Sequence, residues 1–146
     1  MTKYAEGTKI SPERSQIEVQ QLLKKYGATD VASGEQGEQA VIGFKFEGRL
    51  YKIILIYPDI NAFRMSGSRH RMPEQQKAAR EQEIRRLWRT LILVIKGKLE
   101  VVKNRIVTFE QEFMAHIVTD QGQTMYERIK PWLDSNRPLR LPSPDD

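Results

Sequence analysis

Residues 40–57 read Ala40-Val41-Ile42-Gly43-Phe44-Lys45-Phe46-Glu47-Gly48-Arg49-Leu50-Tyr51-Lys52-Ile53-Ile54-Leu55-Ile56-Tyr57. Ala40, Ile42, Phe44 and Phe46 alternate with Val41, Gly43 and Lys45. Apolar residues at every second position mark a half-buried strand. Glu47-Gly48 suits a two-residue hairpin turn. After it, Tyr51, Ile53, Leu55 and Tyr57 alternate with Leu50, Lys52, Ile54 and Ile56. With Glu47-Gly48 as the loop, Phe46 faces Arg49, Phe44 faces Tyr51, Ile42 faces Ile53 and Ala40 faces Leu55. These pairs fall on one side, which is the expected buried face. The other side sets Lys45 beside Leu50 and Lys52 beside Gly43, so two lysines there can meet solvent or an anion.

Before this hairpin, assigned to residues 39–57, Ser11-Pro12 has the chemistry of a helix start. Ile17, Leu22, Leu23 and Tyr26 recur near helical spacing, and Gly27 stands where a helix-ending glycine belongs. A short strand is expected over Ala28 to Ala32, followed by a turn over Ser33 to Glu38. After the hairpin, Pro58 ends the strand, and residues 59–72 read as a polar, basic loop. A long helix then spans 73–103. Ile84, Trp88, Leu91, Ile95, Leu99 and Val102 form one apolar stripe along it, widened by Leu87, Ile92 and Val94. Gly97 interrupts the pattern and marks a kink or a close contact. Thr108 with Gln111, and Thr124 with Glu127, have capping-box spacing and predict short helices near 109–117 and 125–133. The fold expected is α+β: a helix, a small antiparallel sheet, a long helix and two short helices. Residues 1–133 form one domain, and 134–146 a proline-containing tail.

The chain has 146 residues, no cysteine, 39% hydrophobic residues and a net charge of +5. This is one domain of globular composition. Disulfide scaffolds, thiol catalysis and Cys-ligated metals are excluded. Leu91 to Ile95 is the longest apolar run, too short for a membrane span. The N-terminus lacks the apolar segment of a secretory signal, so the cytoplasm is the expected location.

The charge is unevenly placed. Residues 64–105 carry 12 basic and four acidic side chains, a net +8, against −3 for the rest. Arg64, Arg69 and Arg71, with His70, lie on the loop. Lys77, Arg80, Arg85, Arg86 and Arg89 lie on the helix that follows. Together with Lys45 and Lys52, these are the expected nucleic-acid-binding residues, because arginine forks suit phosphate geometry. Long helices also carry solvated charge, and Glu81 with Arg85, or Gln82 with Arg86, have pairing distance along the helix. Trp88 falls in the apolar stripe and belongs to the core. Trp132 fits either a core or a surface role.

Catalytic patterns are absent from the sequence. There is no nucleophile elbow, phosphate loop or dinucleotide fingerprint. Glu112 and His116 are one helical turn apart but lack further ligands for a metal site. Pro58-Asp59 follows a strand as in some nuclease sites, yet no E-x-K comes after it. No enzyme and no cofactor are expected.

Several segments resemble a family of small proteins encoded by bacteriophages, prophages and mobile elements. They include Tyr4 to Thr8, Leu22 to Ala28, Glu81-Gln82-Glu83, Arg86-Leu87-Trp88-Arg89, Ile95 to Glu100, Thr108 to Phe113 and His116-Ile117-Val118. The resemblance carries no catalytic residues across. The chain departs from it at Thr119-Asp120-Gln121-Gly122, where the family tends to Leu-Pro-Asp-Gly, and at Gly97, where alanine is usual. The α-β-β-β-α order is also similar to double-stranded-RNA-binding domains and single-strand annealing proteins. The former's lysine cluster at the second helix is missing here. The resemblance together with the basic loop and long helix leads to the expectation of a phage or mobile-element accessory protein that binds DNA or RNA through that loop and helix, in DNA recombination or replication. The alternative is a non-enzymatic inhibitor that binds a host enzyme or anti-phage defence protein. A third expectation is a homo-oligomer packing through the Lys45/Lys52 sheet face.

Overall fold

A computed structural model describes residues 7–136 together with Ala5 and Pro138. Helix α1 spans Pro12–Lys25, with Ser11 accepting from the Arg14 amide at its start. Its end is fixed by two backbone bonds, Gly27 N to Lys24 O and Ala28 N to Leu23 O. That double closure needs a left-handed residue, which Gly27 supplies at φ +105°. The core face of α1 is Ser15, Val19 and Leu23. Ile17, expected there, is 54% exposed instead. It lies two residues from both Ser15 and Val19, so helical rotation turns it away from them.

Strands β1 (Thr29–Gln36), β2 (Gln39–Phe46) and β3 (Arg49–Ile56) form an antiparallel sheet in that order. The β2–β3 register matches expectation at all four pairs, from Ala40 with Leu55 to Phe46 with Arg49. Glu47 and Gly48 both have positive φ, as the tight turn requires. Strand β1 corrects the expected turn over 33–38: it pairs as far as Gln36 with Gln39, leaving only Gly37-Glu38 to turn. Its polar sequence lacks strand propensity, but an edge strand mostly facing solvent does not need it. Ser33 ties β1 to α1, accepting from Gln20 and donating to Gln16.

Residues 59–72, expected as loop, are ordered into a 3-10 turn (Ile60–Phe63) and a small hairpin. Its strands are β4 (Met65–Ser66) and β5 (Arg69–His70). Helix α2 then runs Pro73–Lys103. It buries Ile84, Trp88, Ile92, Ile95 and Leu99 against the sheet, while Val94 is exposed. The Trp88 indole donates to the Tyr57 hydroxyl at 3.1 Å, which in turn donates to Glu35 at 2.7 Å. Burial and the Glu35 bond push the Tyr57 hydroxyl up to about 12.

Both expected capping boxes are present, at Thr108/Gln111 and Thr124/Glu127. The first opens a shorter helix than expected, α3 (Phe109–Glu112), followed by a 3-10 turn to His116. The second opens α4 (Met125–Asp134), which takes in the first residue of the expected tail. Residue 137 and residues 139–146 of that tail lie outside the described residues. Ile117 and Val118 bridge to the free edge of β3. Phe109 and Phe113 set their ring edges against Phe44 and Tyr51 and close this end of the core.

The register makes isoleucines of the same strand unequal. Ile53 is 4% exposed and Ile56 is 72% exposed. Ile53→Ala should cost about 2–5 kcal/mol, whereas Ile56→Ala should stay within about 0.5 kcal/mol. Urea denaturation of both variants checks this; equal costs would contradict the register.

Candidate nucleic-acid interface

The ten basic residues singled out above fall into three places. Lys45 and Lys52 lie on the sheet face turned away from α1 and α2. There Lys45 sits 3.7 Å from Asp30, and Lys52 donates to the Gly122 carbonyl. They share no surface with the long helix.

Four arginines of α2 act as braces. Arg80 reaches the Pro58 carbonyl and pairs with Glu38 at 2.8 Å. Its guanidinium also lies over the Tyr57 ring. Arg85 donates to Gln82, and Arg86 pairs with Glu83 at 2.6 Å. Both bonds span three residues, one step shorter than the pairings expected from Glu81 and Gln82. Arg89, only 14% exposed, bonds Glu18 at 2.6 Å and Ser15 at 3.5 Å. Lys96 approaches the same Glu18 from two turns further along α2. Arg80 thus fastens α2 to the strand ends and Arg89 with Lys96 fastens it to α1, while Arg85 and Arg86 brace α2 itself.

The third place is the small hairpin with the start of α2. Asp59 caps its 3-10 turn by accepting from the Asn61 amide. Asn61 then accepts two bonds from Arg64. The Arg71 amide donates to the Arg64 carbonyl at 2.7 Å, and Gln76 donates to the Arg71 carbonyl. Thus the hairpin backbone is tied to α2. Arg64, Arg69, His70 and Lys77 are exposed, and Arg71 is half-buried. Ser66, Arg69, His70, Arg71 and Gln75 line a cleft of about 490 Å³. Between Ile60 and Pro73 there is no acidic residue. Among the described residues, Arg64, Arg69, Arg71 and Lys77 make no ion pair, unlike Arg80, Arg86 and Arg89.

No family model, no curated protein and no solved structure matches this chain. The site must therefore be read from its own chemistry. Ser66 and Gln75 join the cleft without any charge to advertise them; only the hairpin's folding brings them there. Glu112 does not meet His116 as a metal ligand would. It pairs with Lys98 at 3.2 Å, while burial and the Lys98 charge hold the His116 imidazole below its usual range. No group of three metal-ligating His, Asp or Glu occurs among the described residues.

The Arg89 brace has a pH signature. The hydrogen bond from Arg89 holds the Glu18 carboxyl below its ordinary value of 4.5; burial opposes this in part, and the Arg89 and Lys96 charges add to it. A depressed folded-state pKa stabilises the fold above 4.5, and the contribution is lost as pH falls through the lower folded value. Glu18→Gln should therefore cost about 1 kcal/mol near pH 7, a modest figure for a partly exposed pair. The gap from the parent should close in acid below pH 4.5. Denaturation curves at the two pH values check this, and a gap that widens in acid would contradict it.

Proposed function

We propose that this chain is a non-enzymatic accessory protein of a phage or mobile element that binds nucleic acid. Its contact surface is the β4–β5 hairpin with the first turns of α2. The observation that supports this reading is the acid-free hairpin, which presents Arg64, Arg69, His70 and Arg71 with no carboxylate paired to them among the described residues. A two-stranded ribbon can enter a DNA major groove. Arginine forks and the Lys77 ammonium then meet backbone phosphates. Arg80, Arg85, Arg86 and Arg89 support this surface by fixing α2 rather than by meeting phosphate themselves. No helix among the described residues is long and apolar enough to cross a membrane.

A second reading, a protein-binding inhibitor of a host enzyme or defence protein, is favoured by a separate observation. Tyr126, Ile129 and Leu133 on α4 are 52%, 38% and 49% exposed, and none of α4 is buried. A folded helix with its apolar side open suits a protein surface.

Binding by the hairpin would make affinity fall steeply with salt. Replacing Arg64, Arg69 and Arg71 together by Gln should reduce the slope of log K against log salt by roughly three. Fluorescence anisotropy with duplex and single-stranded oligonucleotides checks this. Undiminished binding by the triple variant would overturn the assignment, and a parent chain with no affinity for either probe would favour the second reading.

A further inference from the structure

Helix α2 has a second apolar side, opposite the core. Thr90, Val94, Gly97 and Val101 recur there at intervals of four, three and four residues, with Leu93 beside Val94. Leu93 and Val94 are 47% and 46% exposed, although they lie mid-helix. Gly97 is exposed as well, and a Cβ built on it meets nothing within 4 Å. It is absent from the positive-φ glycines and sits inside regular helix. Among the described residues, nothing therefore calls for glycine at a position where alanine would be favoured by about 1 kcal/mol. A missing side chain on an open helix face serves a neighbour that must come close.

We propose that this face is a self-association seam, on which α2 of a second copy packs antiparallel about a two-fold axis beside Leu93. The charges select this occupant and this direction. Arg86 and Glu100 stand seven residues to either side of Leu93, two helical turns each way. An antiparallel pair sets Arg86 of each copy against Glu100 of the other, twice. A parallel pair would set Arg86 against Arg86 and Glu100 against Glu100, which repel. Arg86 already holds Glu83 through Nε and Nη2 and Thr90 through Nη1, so Glu100 of the other copy joins a charged network rather than an open cation. The same antiparallel pairing brings Thr90, three residues before Leu93, against Gly97, four residues after it, a small side chain against a missing one. Every contact occurs twice, as an isologous interface demands. Helix axes approach to about 8 Å where small residues meet, and Gly97 permits that approach.

Sedimentation equilibrium over a range of protein concentrations tests the seam. The parent chain should reach twice its 17.0 kDa mass at high concentration and dissociate on dilution. Val94→Glu should raise the dissociation constant at least about tenfold by placing carboxylates in the seam. Gly97→Leu should do the same while leaving the monomer at least as thermally stable, because the added side chain enters open space. Glu100→Arg should weaken the dimer, and adding Arg86→Glu should restore it. A parent chain that stays at 17.0 kDa throughout would overturn the proposal, as would a dimer that Val94→Glu and Gly97→Leu leave intact. These variants keep the hairpin arginines, so nucleic-acid binding succeeds or fails separately.

Discussion

Phe44 and Tyr51 lie directly opposite each other on β2 and β3, their rings stacked with centroids 5.3 Å apart. The rest of the domain is arranged around that pair. It fixes which sheet face is buried, because the side-chain period along a strand is two. A one-residue slip would turn Lys45 and Lys52 inward and push Ile42 and Ile53 out. Burying two unpaired ammonium groups is prohibitively unfavourable, so the register has no close competitor. Once this face is set, α1 and α2 have one surface to cover. Phe109 and Phe113 then complete an aromatic cluster at its open end.

The central hairpin, α2 and both capping boxes were legible because each depends on local chemistry: alternation, a 3.6-residue stripe, a Thr with Gln or Glu three residues on. Strand β1 was only partly legible. Ser33-Gly34-Glu35-Gln36 has turn composition, and it is a strand because β2 offers unpaired backbone groups beside it. The β4–β5 hairpin was hidden for a similar reason. Its order comes from Asp59, Asn61 and Arg71 bonding across the segment, and no periodicity reports such bonds. The basic site was legible as a stretch of chain but not as a surface. Whether an arginine is a brace or an open cation depends on where Glu18 and Glu38 come to rest, and both are distant in sequence from α2.

That distinction alters what the charge of residues 64–105 means. A net +8 looks like one long anionic-partner surface. In the folded chain, carboxylates from α1, the β1–β2 turn and α2 itself meet much of it. Arg89 is the clearest case: a nearly buried guanidinium between Glu18 and Ser15 holds two helices together. Removing it would leave Glu18 without its strongest donor, and would disturb packing before it disturbed any ligand. Arg64, Arg69 and Arg71 instead stand on a segment that contains no acid at all.

The length of α2 explains why the open cations sit where they do. Thirty-one residues make a helix of roughly 46 Å, whereas eight-residue strands span only roughly 27 Å. The helix must therefore overhang the sheet. Its first buried side chain is Ile84, about three turns after Pro73. The overhanging turns cannot be held by the core, and the 3-10 turn of Ile60–Phe63, with the Pro58 and Arg71 carbonyls beside it, supplies the contacts that replace it. Consequently the basic hairpin is carried at the end of a rigid rod, beyond the apolar layer. Along its middle, the same rod keeps one side on the sheet and leaves the Leu93–Gly97 side open. One helix thus separates three tasks along its length and around its axis, and a change to one face need not disturb the others.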